Sequence, residues 1–395
     1  MMKTTLTIVA LALATSVSAQ ESPLWMRYCA ISPDGSAVAF TYKGDIYTVP
    51  TTGGTARQLT TNAAFDTHPV WSPDSKQLAF CSNREGSMDV YVMQREGGTP
   101  RRLTTNSNSE TPIAFKDNNN VLYTSSIMPS AKSIIFANRM LPQVYEVGTN
   151  GSRPHLFSAL PMMDISIRPN GDLLYHDQKG YEDPWRKHHR SPITRDIWLR
   201  RGGKYTKLTN FNGEDRTPVW AAQGDTFYYL SEEDGTFNVY MRNIDGTGKQ
   251  QLTRHTTNPV RFLTAANNGT LCYGYDGEIY TLKQGEQPQK LKVNIVTDKI
   301  DTDLDRQTLF TGATEIALSP DGKELAFVLH GDVYVTSNNY RTTKQITDTP
   351  EQEREIQFAP DGRSIVYASE RGGLWQIYRT KLKLDKEKSF AYATQ

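Results

Sequence analysis

The sequence predicts an all-β protein made of repeated four-stranded sheets. Three observations support this: a recurring motif, a scarcity of helical hydrophobic patterns, and a high content of Tyr, Phe and Trp. The motif occurs eight times and consists of a turn, a short apolar strand, an Asp/Asn-aliphatic-aromatic strand and a strand ending in Leu-Thr or a close variant. The aromatic residues of its third strand follow one another at intervals of 40 to 54 residues and are Tyr47, Tyr91, Tyr145, Trp198, Tyr240, Tyr280, Tyr334 and Tyr378. This period, with four short strands per unit, is typical of β-propeller blades.

The turn and strands of each repeat follow from the local sequence. Residues 32–35 read Ser-Pro-Asp-Gly. Because Pro presets φ and because Asp and Gly accept the bridge and left-handed conformations, this segment predicts a reversal between two strands. The apolar segments 37–41, 78–82, 226–230 and 324–328 suit sheets that pack face to face. A single sheet cannot bury both of its faces, so we expect the repeats to stack around a ring.

The N-terminus indicates an exported protein. Lys3, the apolar run 6–14 and the small-x-small sequence Val17-Ser18-Ala19 are typical of a secretory signal peptide, with an uncleaved leader as the alternative. We therefore predict that residues 1–19 are removed after Ala19 and that the chain is periplasmic. No other apolar stretch approaches the roughly 20 residues needed to span a membrane. The net charge of +1 over 395 residues favours neither nucleic acid nor an anionic membrane as a partner.

The spacing of the repeats predicts two domains. Residues 25–290 are predicted to form a six-bladed propeller, residues 291–313 a polar linker, and residues 314–395 the first two blades of a second propeller. Two blades cannot close a ring, and Ala393-Thr394 occupies the Leu-Thr position of the last repeat. We therefore expect the chain to be the front part of a longer protein. A single eight-bladed ring is the alternative.

Three acidic residues precede the apolar first strand of their repeats. Asp66, Glu110 and Asp215 each stand five positions ahead of an aromatic residue. They are candidates for a negative collar at the channel mouth that attracts cationic peptide ends. Alternatively, each carboxylate bonds to the neighbouring blade and holds the ring together, which is the preferred interpretation.

A basic and aromatic insertion at 180–194 is a candidate interface. Trp185 and Arg186 are residue types that anchor interfaces, so we predict that the insertion docks onto another domain or subunit, which allows a homo-oligomer. His188 and His189 lie among positive charges and are not predicted to bind metal. No cofactor or metal site is predicted. The three cysteines, an odd number for a disulfide framework, are expected to be buried thiols.

Segments 314–317, 331–334 and 185–198 resemble the N-terminal part of tricorn-type serine peptidases, and the blades resemble TolB-type, WD40-like repeats. The resemblance implies a six-bladed propeller followed by a seven-bladed one, a PDZ domain and a catalytic core. It also implies peptide hydrolysis by the complete protein, with propellers that gate or channel the substrate. The chain contains no Gly-x-Ser-x-Gly motif, and by the family layout the nucleophile and base lie beyond residue 395. No catalytic residue is assigned, and the chain is predicted to be inactive alone.

The leading hypothesis is thus the gating portion of an exported, truncated tricorn-like serine peptidase whose partners are peptides. A TolB-like periplasmic propeller that binds proteins without catalysis is the first alternative. A sugar-active lyase is the second, and it would need histidines and acids around a metal on the axis. The seven histidines fall at unrelated positions of the repeat, which disfavours that class.

Overall fold

The computed structural model describes residues 23–127, 141–180, 188–296, 309–340 and 342–394, in which the regular elements are all strands. The predicted all-β class is confirmed, and the many small antiparallel sheets are those of a β-propeller. Residues 1–19, predicted to be a signal peptide, lie outside the described residues. In the described part of the chain, no helix has the length and apolar character that crossing a membrane requires.

The chain divides into two compact units, Met1–Asp298 and Lys299–Gln395. The described strands of the first unit form six sheets, each built from four consecutive antiparallel strands. The first three sheets comprise β1 (Arg27–Ile31), β2 (Ala37–Tyr42), β3 (Asp45–Pro50), β4 (Gly54–Gln58); β5 (Asp66–Trp71), β6 (Gln77–Ser82), β7 (Asp89–Gln94), β8 (Gly97–Arg102); β9 (Glu110–Asp117), β10 (Asn120–Ser125), β11 (Gln143–Gly148) and β12 (His155–Ser158). The next three comprise β13 (Met162–Ile167), β14 (Leu173–Asp177), β15 (Ile197–Arg201), β16 (Lys204–Lys207); β17 (Asp215–Trp220), β18 (Thr226–Ser231), β19 (Asn238–Asn243), β20 (Gln250–Gln251); β21 (Arg261–Ala265), β22 (Leu271–Tyr275), β23 (Glu278–Leu282) and β24 (Gln289–Lys290).

The threonine of the Leu-Thr motif, which follows the fourth strand, forms hydrogen bonds with the third strand of the same sheet. In the first sheet, the Thr60 hydroxyl accepts a hydrogen bond from the Ile46 N–H at 2.9 Å and donates to Asp45 at 3.2 Å. The same bond from a third-strand N–H to a motif threonine recurs at 2.8 to 2.9 Å in four further sheets, in the pairs Val90–Thr104, Ile197–Thr209, Val239–Thr253 and Val333–Thr347. The recurring Asp/Asn and Thr positions of the repeat therefore have a direct structural cause.

The Ser-Pro-Asp-Gly segments form the predicted turns. The Gly35 N–H donates to the Ser32 carbonyl at 2.8 Å, and Gly35 has a φ of +74°, a conformation that glycine adopts without strain. In the second sheet the Ser72 hydroxyl donates to Asp74 at 2.7 Å, which closes the equivalent turn. These turns set the register between the first two strands.

The sixth sheet of the first unit packs against the first sheet. The Met26 N–H donates to the Gly277 carbonyl at 3.0 Å, and the Ile31 N–H donates to the Thr264 hydroxyl at 3.0 Å. Buried Cys29 and Cys272 share one hydrophobic cluster across the two sheets. Each of the other sheets packs on its successor in the same way, so the core of this unit consists of layers between neighbouring sheets.

A fifth strand on the first sheet corrects the predicted linker boundary. Residues 291–313 were expected to be a linker, yet β25 (Val293–Ile295) pairs in parallel with β4 at the outer edge of the first sheet. Leu291 and Val293 are buried in the cluster of that sheet. The segment escaped prediction because three apolar residues between charged ones carry almost no strand pattern. Residues 297–308 of the predicted linker lie outside the described residues.

The described residues of the second unit form two sheets with a core of their own. They comprise β26 (Ala313–Leu318), β27 (Glu324–Leu329), β28 (Asp332–Ser337), β29 (Thr343–Gln345), and β30 (Glu353–Phe358), β31 (Ser364–Ser369) and β32 (Gln376–Lys381). The predicted fourth strand that would carry Ala393-Thr394 is wrong, because over the described residues 342–394 the last sheet has three strands. Instead, the Thr394 N–H donates to Glu387 at 2.7 Å, and the buried Glu324 carboxylate accepts the N–H groups of Phe390 and Ala391.

Candidate functional site

A cavity of about 770 Å³ lies among the first strands of the six sheets in the first unit. Every one of these strands, β1, β5, β9, β13, β17 and β21, contributes to its lining. The volume lies within the roughly 300–1,000 Å³ of typical small-ligand sites. Because all six sheets meet there, this cavity is the feature of the unit that depends on the whole ring.

A repeated β-bulge determines which side chains face the cavity. In β1, β5, β13, β17 and β21, two residues oppose a single residue of the second strand. The first of the two has a φ between +47° and +59°, in the left-handed region that side chains other than glycine seldom adopt. These five residues are Tyr28, His68, Asp164, Thr217 and Phe262, and all of them line the cavity. A bulge re-aims a side chain, and here it does so five times around one centre.

Three of the bulge residues form an aromatic side of the cavity. The ring centroids of Tyr28 and His68 are 3.7 Å apart, and those of Tyr28 and Phe262 are 4.8 Å apart. Tyr28 belongs to the first sheet, His68 to the second and Phe262 to the sixth, and the first sheet adjoins both of the others. Burial lowers the pKa of His68 to about 4, so this imidazole is neutral at neutral pH. The aromatic side is therefore uncharged.

The other two bulge residues belong to a polar side of the cavity. The Thr217 hydroxyl donates to Asp164 Oδ2 at 2.6 Å, and the Thr217 N–H donates to His176 Nδ1 at 3.3 Å. Arg195 and Arg216 also line this side, and the buried carboxylate of Glu214 lies between them at 3.6 Å from Arg195 Nη1 and 2.8 Å from Arg216 Nε. We refer to Asp164, His176, Arg195, Arg216 and Thr217 as the polar side.

Burial is the main influence on the charges of the polar side. Burial, together with Arg195 and Arg216, holds the pKa of His176 well below its usual value, so the imidazole is neutral. Burial raises the pKa of Asp164, while the Thr217 hydroxyl and the two arginines oppose that rise. The Asp164 side chain is 44% exposed and lines the cavity. Asp164 is thus an accessible carboxylate on the wall of the cavity.

The predicted channel-mouth residues occupy a different position. Asp66, Glu110 and Asp215 are the first residues of β5, β9 and β17, are at most 2% exposed, and are not among the residues that line the cavity. Their N–H groups donate to carbonyls of the preceding sheets, at Gly44, Met88 and Arg195, over 2.7 to 3.1 Å. These bonds are made by the backbone and not by the carboxylates, so both the structural role and the peptide-binding role of the three carboxylates stay predictions.

The remaining predictions concern the interface candidates, two histidines and the three cysteines. Trp185 and Arg186, the interface candidates, lie outside the described residues. The His188 N–H donates to Glu232 Oε2 at 2.9 Å, and His189 Nε2 contacts the Ser191 hydroxyl at 2.7 Å. Cys29, Cys81 and Cys272 are buried free thiols, as expected. In the described ranges, no three His, Cys, Asp or Glu side chains are grouped so that they could hold a metal ion.

Sequence reasoning missed the bulge residues, although a signal for them exists. Pro69 and Pro218 stand inside the first strands β5 and β17, directly after His68 and Thr217. Within sheets, proline is confined to edges and bulges because it cannot donate to the ladder. A proline inside an otherwise apolar inner strand therefore marks the bulge, and the residue before it faces the cavity.

Comparisons with known proteins show which families and structures this chain resembles. Residues 23–288 match the family model described as the tricorn protease N-terminal beta propeller domain. The chain is 26% identical over 392 residues to tricorn protease homolog 1 of Streptomyces coelicolor, which covers 96% of this chain and 34% of that protein. The crystal structure of the tricorn protease superposes with a TM-score of 0.64 at 17% identity, over 91% of this chain and 36% of that one. TolB from Acinetobacter baumannii matches with a TM-score of 0.45 at 13% identity, over 79% of this chain and 63% of that one.

The chain thus spans about a third of the length of the curated relative from Streptomyces, of which it covers 34%. The family model covers well over half of the sequence and ends within the sixth sheet. The chain belongs to the family of the tricorn protease N-terminal β-propeller.

Proposed function

We propose that this chain is the peptide-handling propeller portion of an exported, tricorn-like serine peptidase, in which the central cavity admits and guides peptides. The observation that carries the proposal is that all six first strands of a tricorn-type propeller border one cavity of about 770 Å³. In this proposal, catalysis belongs to a part of the complete protein that this chain does not contain. The chain alone binds peptides without cleaving them.

Apolar side chains on the second unit support the proposal of a longer protein. Ile316 and Leu318 on β26 are 69% and 59% exposed, and Ile377 on β32 is 81% exposed. In the first unit, by contrast, the first strand β5 is mostly buried because neighbouring sheets cover it. Exposed apolar residues on sheets of this type are suited to contact with further sheets.

Peptide binding by the chain tests the proposal. Unstructured peptides of ten residues, labelled with fluorescein at the C-terminal side chain, should bind saturably in fluorescence anisotropy and remain intact in mass spectrometry. Ile113→Trp, which narrows the cavity from β9, should weaken binding by about tenfold or more. Val296→Trp, at a 74% exposed site away from the cavity, is the matched control and should bind as the wild type does.

Two results would contradict the proposal. The first is the absence of peptide binding by the well-folded chain, and the second is equal binding by the Ile113→Trp and Val296→Trp variants. Binding of a folded protein without any binding of peptides would favour the TolB-like alternative.

A further inference from the structure

We infer that the cavity recognises the N-terminal residue of a peptide, with the α-ammonium group on Asp164 and the first side chain against Tyr28, His68 and Phe262. This inference rests on the proposed function, since it assumes that peptides enter the cavity. It adds the orientation of the peptide and the chemistry that is selected. The groups that carry it are residues of β1, β5, β13 and β21 at the same bulge position.

The accessible charge on the polar side is negative. The Asp164 side chain is 44% exposed to the cavity, whereas those of Arg195 and Arg216 are 7% and 9% exposed. Both arginines contact the buried Glu214 carboxylate, with Arg216 Nε at 2.8 Å. A ligand entering the cavity therefore meets the carboxylate before the guanidinium groups, and a cation is the matching ligand group.

Asp164 is held in position with one oxygen left for a ligand. The Thr217 hydroxyl donates to Oδ2 at 2.6 Å, and within the described residues Oδ1 has no hydrogen-bond partner. His176 Nδ1 lies 3.5 Å from Oδ2 but already accepts the Thr217 N–H. A primary ammonium group, with three donors, can bond to Oδ1 and make a charge-assisted contact there.

The two histidines of the cavity do not oppose a cationic ligand. Burial lowers the pKa of His68 to about 4 and holds the pKa of His176 well below its usual value, so both rings are neutral at neutral pH. Lys116, which also lines the cavity, is engaged by both oxygens of Glu146 at 2.9 Å. Arg261 is a further cationic residue of the lining. Recognition of a peptide carboxylate by this residue is the competing hypothesis.

The aromatic side suits the side chain of the first residue. Tyr28 lies between His68 and Phe262, with centroid distances of 3.7 and 4.8 Å, which gives a continuous uncharged surface. An aromatic or large aliphatic side chain gains stacking or apolar contact there, whereas glycine gains none. We therefore expect a preference for peptides that begin with a large apolar residue.

A set of matched peptides tests the inference. Four ten-residue peptides share one sequence and differ at their ends: a free N-terminal Phe, an N-acetylated Phe, an N-terminal Gly, and a free Phe with a C-terminal amide. All carry fluorescein on an internal lysine, and dissociation constants are measured by anisotropy at pH 7. Acetylation should weaken binding to the wild-type chain by about tenfold or more, as expected for loss of a charge-assisted bond. The Gly peptide should also bind more weakly, and the C-terminal amide should bind normally.

Variants separate recognition from stability. The Asp164→Asn variant can still accept a hydrogen bond from the Thr217 hydroxyl. It should weaken binding of the peptide with a free N-terminus by about tenfold, and it should abolish the difference in affinity between the free and acetylated peptides. Asp245→Asn, at an exposed turn, is the matched control and should retain that difference. The comparison of peptides on the wild-type chain decides the question even if Asp164→Asn fails to fold.

The outcomes distinguish the inference from the proposed function. Equal binding of free and acetylated peptides overturns N-terminal recognition but leaves peptide channelling intact. If the C-terminal amide is the only change that weakens binding, N-terminal recognition is also overturned. That result would indicate that the arginines of the cavity bind the C-terminal carboxylate. Failure of all four peptides to bind contradicts the proposed function itself.

Discussion

Asp66, Glu110 and Asp215 show that one position of the repeat has different electrostatic environments in different sheets. Asp66 is paired with Arg84, whose Nη2 lies 2.9 Å from both carboxylate oxygens. The residue 18 positions after Asp215 is Glu233, and burial followed by weaker contributions from Asp196 and Glu233 raises the pKa of Asp215 to about 6. The residue that the next turn supplies therefore gives Asp66 a cationic partner, whereas burial is the main cause of the raised pKa of Asp215.

Glu110 lies beside another carboxylate. Burial, with a smaller contribution from the nearby Asp89, raises its pKa to about 7. Glu110 Oε2 and Asp89 Oδ1 are buried atoms with no hydrogen-bond partner among the described residues. Two carboxylate oxygens can bond to each other only when one of them carries a proton. We therefore expect the folded protein to keep a proton on this pair.

Glu110→Gln should stabilise the protein at high pH. The unfolded chain releases the Glu110 proton near pH 4.5, whereas the folded chain keeps it to about pH 7. Stability contributed by this group is therefore complete below pH 4.5 and is lost as the pH rises toward 7. Gln replaces the shared proton by an N–H donor, so the variant should be more stable than the wild type at pH 8 by between about 1 and 3 kcal/mol, at roughly 1.4 kcal/mol per pKa unit. Urea unfolding at pH 4.5 and pH 8 measures this difference.

The exposed Glu96 provides the control for this prediction. Glu96→Gln should change the free energy of unfolding by less than about 0.5 kcal/mol at both pH values, as surface substitutions usually do. An identical dependence of stability on pH for the wild type and Glu110→Gln would show that folding does not raise the pKa of Glu110.

At the level of elements, β25 has an influence larger than its three residues suggest. The Gly54 N–H donates to the Lys292 carbonyl at 2.8 Å as β25 joins the edge of β4. Gly53, at a φ of +83°, lies so close that an added Cβ would be 2.6 Å from the same carbonyl oxygen. Val293 is 5% exposed and packs with residues of the first and sixth sheets. The segment after the sixth sheet thus completes the core of the first.

Val293→Asp should destabilise the first unit. The substitution places an unpaired carboxylate in an apolar cluster, and we expect a loss of about 3 kcal/mol or more in the free energy of unfolding. Val296→Asp, at a residue that is 74% exposed, makes the same chemical change outside the core and should have little effect. Chemical denaturation of both variants tests this, and equal stabilities would mean that β25 is dispensable.

The elements that recur are those that the sequence could predict. The Ser-Pro-Asp-Gly turns and the apolar second strands lie within a residue or two of their predicted places because their chemistry is local. β25 could not be predicted, since the strand with which it pairs is β4, more than 230 residues earlier. The missing fourth strand after β32 was mispredicted because Glu324, which binds Phe390 and Ala391, belongs to the other sheet of that unit.

The cavity could be predicted only in part for a similar reason. A ring of sheets implies a centre, but the residues facing that centre depend on bulges that shift the alternation of five of the six first strands by one residue. Tyr28 and Phe262 meet at 4.8 Å although they are distant in sequence. Pro69 and Pro218 indicate two of the bulges, whereas Asp164 has no proline after it. Asp164 therefore required the structure.

At the level of the whole molecule, each unit has an independent core. Leu122 is fully buried in a cluster of the third and fourth sheets, and Ile365 is fully buried in the cluster of the second unit. The sixth sheet of the first unit packs on its first sheet through contacts such as that between Met26 and Gly277. Because the sheets of the first unit depend on one another around the ring, we expect that unit to unfold as a whole.

Two core substitutions should therefore act on separate unfolding transitions. Leu122→Ala and Ile365→Ala each remove a buried aliphatic side chain, a change that destabilises by about 2–5 kcal/mol. In differential scanning calorimetry we expect two transitions, with Leu122→Ala lowering the Tm of the larger one and Ile365→Ala that of the smaller one. The smaller transition should move further per kcal/mol, because the entropy of unfolding scales with the number of residues. A single transition that both substitutions shift equally would mean that the two units fold as one, since destabilisation in either core would then reach the other.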